Sequence, residues 1–131
     1  MSYLNADWNI LAFWQESKVL TGALFMLFAG CGSLFRWSLQ NSSRWKKSIG
    51  TLFANVVASF VLGILLANTY SGATMSIAGT GLLGSFSTFS TVMMEVDEEF
   101  EKQRNIPAIL YLSASILGGV VAALVGLEIG A

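Results

Sequence analysis

Between Ser48 and Met94 the chain runs for 47 residues without one Asp, Glu, Lys or Arg. Ordinary soluble domains carry about 25% charged residues, spread so that every surface element meets water. Here only 11% of residues are charged and 54% are apolar, too few charges to coat a water-facing surface. Two further stretches, Val19–Phe35 with 17 residues and Asn105–Leu127 with 23, are also free of charge. A membrane-spanning helix needs roughly 20 apolar residues. The 47-residue stretch is too long for one helix and holds a single cluster of turn chemistry, Asn68-Thr69-Tyr70-Ser71-Gly72. The pattern predicts an all-α, multi-pass protein of the cell membrane with four transmembrane helices, at about 20–39, 49–68, 76–95 and 107–128.

The same inventory removes whole classes of function. A disordered chain lacks this much apolar surface, and a net charge of −1 gives no basic field for nucleic acid. There is no histidine, and the lone Cys31 can form no internal disulfide. Most zinc, haem and triad chemistries lose their commonest ligand or base. Catalysis is not expected.

Residues 1–18 fall outside the four spans and lack the basic start of a secretory signal. Leu4, Trp8, Leu11 and Trp14 recur at helical spacing, which predicts a short interfacial helix with tryptophans at headgroup depth. The chain thus divides into an arm, 1–18, and a four-helix unit, 19–131. The connections Gln40–Lys47 and Val96–Ile106 share one side of the membrane and hold Arg44, Lys46, Lys47, Lys102 and Arg104. The opposite side has Lys18 alone, so the termini are expected outside. The acidic run 97–101 reads as a solvated loop at a helix end.

Polarity inside a membrane is costly and therefore informative. Helix two carries Thr51, Asn55, Ser59 and Gly63 at steps of four. Asn55 either hydrogen-bonds across to another helix or donates to something passing through. Helix three holds Gly79, Gly81 and Gly84, then five hydroxyls between Ser85 and Thr91, a poor continuous helix. Either it bends with its hydroxyls satisfied, or it breaks and frees carbonyls suited to a small cation. At about 100° per residue, Thr88, Thr91 and Glu95 share one side and Phe86 and Phe89 the other. Helix four offers Tyr111 and Ser115, then small residues at steps of four that form a packing seam. Arg36, at the end of helix one, either snorkels to the interface or adds positive potential to a vestibule, whose other charged member would be Glu95. This lining is rich in donors, with no carboxylate deeper than Glu95. It suits a small anion better than a cation or a proton relay.

Gly50-Thr51-Leu52-Phe53-Ala54-Asn55, with Ser59-Phe60 and Gly63, and the string Gly81-Leu82-Leu83-Gly84-Ser85-Phe86-Ser87-Thr88-Phe89-Ser90-Thr91 with Glu95, resemble signatures of the Fluc (CrcB) fluoride channels. Gly30 to Arg36-Trp37 and the pair Tyr111/Ser115 resemble that family's first and fourth helices. The resemblance covers about residues 20–130, and its third-helix string is the most specific part. It implies a dual-pore antiparallel dimer that passes fluoride out of the cell. Asn55, Phe86, Phe89, Thr88, Thr91, Tyr111 and Ser115 would then meet the ion, with ring edges at the two phenylalanines. The carbonyls of Gly81 and Gly84 would supply half of a central sodium site. Ser85 departs from the family's usual glycine there.

The lopsided Lys and Arg distribution argues that the chain inserts one way only and pairs with a homologous, oppositely biased partner; the alternative, in which the acidic residues 97–101 and the short loops weaken the bias, is dual insertion and pairing with itself. Three other classes compete. A small multidrug exporter needs a carboxylate in helix one, and Val19–Phe35 has none. A non-conducting assembly subunit needs the packing seams without Asn55 or the phenylalanines. A membrane enzyme needs a nucleophile or ligand set that the acidic run lacks.

Overall fold

The computed structural model describes the backbone at residues 3–42, 46–68, 70 and 72–131, and side chains from Ser17 onward within those ranges. Arg44, Thr69, Ser71 and the side chains of the arm's tryptophans lie outside the described residues. Four helical segments are long and apolar enough to cross a membrane: Ser17–Gln40, Lys47–Ala67, Gly72–Glu101 and Asn105–Gly130. The chain is a multi-pass membrane protein.

Helix α1 runs Tyr3–Gln40, 38 residues without interruption. The arm is therefore helical as expected, but its backbone continues into the first span. No glycine or proline stands between Tyr3 and Thr21 to separate the two. At 1.5 Å per residue the helix is about 57 Å long, well beyond a hydrocarbon core of about 30 Å.

Helix α2, Lys47–Ala67, begins after extended Lys46. It ends where Asn68 folds back, its Nδ2 donating to the carbonyl of Ile64 at 3.0 Å. Its partner is α6, Asn105–Gly130, and the seam between them is built from small residues. A Cβ on Gly63 would collide with the Ala123 carbonyl, and one on Gly126 with that of Phe60. Backbones this close gain dispersion contacts along the whole crossing, as the small residues of helix four foretold.

The third crossing has several pieces. A turn of α3, Gly72–Thr74, leads into a π-helix, Met75–Leu83, and a turn of α4, Gly84–Phe86. Ser87 and Thr88 are extended (ψ 156° and 119°), and α5 then runs Phe89–Glu101. The break therefore falls after the glycines rather than among them. Gly79 and Gly81 are wound into the π-helix, and Gly84 has ordinary helical angles (φ −63°, ψ −34°).

The acidic residues 97–101 are the exposed last turns of α5 rather than a loop. The connection to α6 shrinks to Lys102–Arg104, where Gln103 takes φ 59°. Arg104 N–H donates to Glu99 O and Gln103 N–H to Phe100 O, each at 2.9 Å, a Schellman closure that reverses the chain at once. Ion pairs of Lys102 and Arg104 with Glu98 and Glu99 are solvent-exposed and add little. The outer faces of α1 and α6 expose Leu20, Leu27, Leu34, Leu117, Val121 and Leu124, as a lipid-facing surface requires.

Candidate functional site

The site grows from one face of α2. Thr51, Asn55 and Ser59 stand one turn apart, so each rises about 6 Å beyond the last. That face meets the broken third crossing at three successive levels.

At the middle level, Asn55 clamps the break. Thr88 N–H donates to Asn55 Oδ1 at 2.6 Å, and Asn55 Nδ2 donates to the Thr88 carbonyl at 3.0 Å. In an unbroken α-helix that N–H would go to the carbonyl of Gly84. The carboxamide therefore stands in for a missing helical turn, and one Nδ2 hydrogen remains beyond the pair. Asn55 is glue to the third crossing and keeps one free donor, so the two readings of this residue are not exclusive.

Thr88 is 9% exposed and starts α5. Its Oγ1 accepts from Thr91 N–H at 3.3 Å and lies 3.1 Å from both Thr91 Oγ1 and Ser90 Oγ. Extended Thr88 suits β-branching and offers its hydroxyl as an N-cap, which is why the helix restarts here.

At the level nearest the 40–47 connection, Glu95 is buried at 5% exposure. Its Oε1 accepts from Thr51 Oγ1 at 3.0 Å and its Oε2 from the Tyr111 hydroxyl. Thr51, fully buried, also accepts from Gln40 Nε2 at 3.1 Å. Three crossings thus converge on one carboxylate, and no cation pairs with it among the described residues. A cavity of about 400 Å³ opens above it, lined by Glu95, Tyr111, Lys46, Lys47 and Arg104. Ser115 is bonded back to the Tyr111 carbonyl at 2.9 Å, one turn earlier on its own helix.

The remaining expected site residues lie around the break and along α1. Phe86 precedes the break and lies in a groove with Phe35, Leu39 and Leu82 beside α1. Phe89 follows the break and is 62% exposed on the subunit surface. The helical projection that placed both rings on one side does not carry across the extended Ser87 and Thr88. Arg36 is half-buried and forms no ion pair among the described residues. It stands one turn beyond Gly32, whose Cβ would collide with Ser85 Oγ and the Leu82 carbonyl. Ser85 is accommodated by that glycine and by donating to Leu82 O at 3.0 Å.

Of the two carbonyls considered for a cation, only Gly84's stands at the break and has lost its ordinary amide donor. Gly81 packs against Phe25 from within the π-helix. No cluster of His, Cys, Asp and Glu suited to a metal occurs among the described residues. The sequence reading did not assign Thr51 or Gln40 to the site. Thr51 was detectable as the residue one turn before Asn55 on the same stripe, whereas nothing in the sequence distinguished Gln40 from an interfacial amide.

Comparison with known proteins places this geometry. Residues 23–127 match the family described as CrcB-like protein, Camphor Resistance (CrcB). The chain is 33% identical over 113 residues to the Fluoride-specific ion channel FluC 1 of Geobacillus kaustophilus, covering 79% of this chain and 96% of that one. It is 32% identical over 116 residues to a FluC 2 of Bacillus cereus, covering 86% and 93%. A FluC of Haemophilus ducreyi is 33% identical over 107 residues, covering 79% and 86%. The match runs from the first span to the last and takes in the clamped break, so the chain belongs to the CrcB family.

Proposed function

We propose that the chain is a subunit of a fluoride-specific channel that lets fluoride leave the cytoplasm passively, without proton coupling. The observation that carries this reading is the Asn55–Thr88 clamp. It supports a broken helix at membrane depth and leaves an amide hydrogen and the Thr88–Thr91 hydroxyls beside it. A small, strongly hydrated anion needs donors to replace its water, none so strong that it stays. Hydrogen bonds to a charged acceptor, at about 1.5–3 kcal/mol each, meet that condition without a fixed cation. In this reading Asn55, Thr88 and Thr91 line the path, and Tyr111 and Ser115 lie towards the vestibule of Glu95 and Arg36. Phe89, 62% exposed on the subunit surface, would offer its ring edge at a subunit boundary, and Phe86 would offer its own from the groove beside α1. No observation favours an exporter, an enzyme or a non-conducting subunit.

Liposomes loaded with fluoride should empty through the chain reconstituted together with its partner subunit, whereas chloride should stay. Asn55→Leu should slow fluoride efflux at least tenfold. Equal chloride and fluoride efflux contradicts the reading.

The second subunit belongs to the same proposal. Inverted pairing would set two breaks face to face, and a sodium ion between them would be held by carbonyls. The chain's own contribution is the Gly84 carbonyl, which has lost its helical donor; sodium supplies charge that joins the halves. Preparation without sodium should shift the dimer towards monomer on a sizing column, and an unchanged profile would exclude the ion as a structural element.

Five basic residues on the connection side, Arg44, Lys46, Lys47, Lys102 and Arg104, stand against Lys18 on the other, a ratio that fixes orientation during insertion. The partner is therefore a homologous chain of opposite bias. Single cysteines at the C-terminus and in the 40–47 connection, labelled from outside intact cells, should react only at the C-terminus. Labelling at both positions, with fluoride efflux from this chain alone, would show a homodimer instead.

A further inference from the structure

The α2 face has a third level on the side of Asn55 away from Thr51. There, one turn beyond Asn55, Ser59 borders a cavity of about 90 Å³ whose other walls include Ser87, Gly79 and Gly84. The cavity lies on the far side of the clamp from Glu95. Neither the Ser59 nor the Ser87 hydroxyl has a hydrogen-bond partner among the described residues, although Thr51, Asn55, Thr88 and Ser115 all do. Both serines are half-buried, and hydroxyls that border a cavity at membrane depth without a protein partner are free to serve something that comes and goes. The volume exceeds the ~10–15 Å³ needed to hold one water, and fluoride is close to water in size. Gly79 is not required there for packing, because a Cβ on it would meet Met75 Cε and Leu62 Cδ1 at 3.5 and 3.6 Å, ordinary contact distances.

We infer that Ser59 and Ser87 form a fluoride-binding subsite beyond the Asn55 clamp, where the two hydroxyls receive the ion after the Asn55 amide. The inference rests on the channel reading above. Two levels of one helical face then hold the anion about 6 Å apart, at Asn55 and at Ser59. The subsite sits where Ser87 leaves the helix, so the break contributes a hydroxyl as well as freed backbone.

The test uses the assembled channel, with its second subunit, reconstituted in liposomes. Ser59→Ala and Ser87→Ala should each slow fluoride efflux about tenfold, the loss of one hydrogen bond to an ion. Ser87→Thr keeps the hydroxyl on an extended backbone and should conduct near the wild-type rate. Gly79→Ala should melt no lower than wild type, since alanine is the better helix former, yet slow efflux by narrowing the cavity. Melting temperature and oligomeric state should be unchanged in both serine variants. Wild-type efflux from Ser59→Ala and Ser87→Ala would overturn the subsite while leaving the channel intact. Failure of the wild-type assembled channel to pass fluoride would overturn both readings.

Discussion

A single side chain holds the third crossing in two pieces. Breaking a helix inside a membrane leaves backbone groups that no water can satisfy, each costing several kcal/mol. Asn55 answers both groups of the Thr88 peptide, and the Thr88 hydroxyl caps the helix that follows. The rest of the interior is arranged around that clamp. The Thr51–Glu95–Tyr111 cluster lies one turn towards the connection side, and the Ser59–Ser87 cavity one turn the other way. Without the clamp, the N–H of Thr88 would have no partner among the described residues.

A clamp of two hydrogen bonds needs a rigid frame, and glycine supplies it by removing bulk. Gly63 and Gly126 seat α2 on α6, so the helix bearing Asn55 cannot slide. Gly32 and Gly81 bring α1 against the π-helix and the turn after it. The π-helix, with one more residue per turn of hydrogen bonding than an α-helix, sets the rotation with which the chain reaches Ser87. Ser85 fits this frame because Gly32 opposite it has no side chain.

The spans were legible because charge is excluded from hydrocarbon so strongly that the gaps between charges mark the helices. Expected limits of 49–68 and 107–128 compare with observed helices at Lys47–Ala67 and Asn105–Gly130. The break was legible in kind and not in place. Glycines and hydroxyls pointed to the range 79–91 and the family resemblance to Gly81 and Gly84, but a helix interrupts where a competing partner takes its hydrogen bonds, and that partner, Asn55, is 33 residues away in sequence. The same limit hid the Glu95 cluster, whose members come from three crossings. A projection at one angle per residue also does not carry across the two extended residues between Phe86 and Phe89. The joining of the arm to α1 was open to a plain reading, since nothing between Tyr3 and Thr21 stops a helix.

Hydrogen exchange at the Thr88 amide tests the central claim most directly. That N–H is bonded only to the Asn55 side chain, so its protection reports the clamp and nothing else. Replacing Asn55 with Leu leaves a buried donor unsatisfied, at a cost of about 1–3 kcal/mol. Exchange at Thr88 should then speed by roughly ten- to a hundredfold, since about 1.4 kcal/mol is a factor of ten, while amides in the middle of α2 keep their protection. Equal protection at Thr88 in the wild type and in Asn55→Leu would contradict the account.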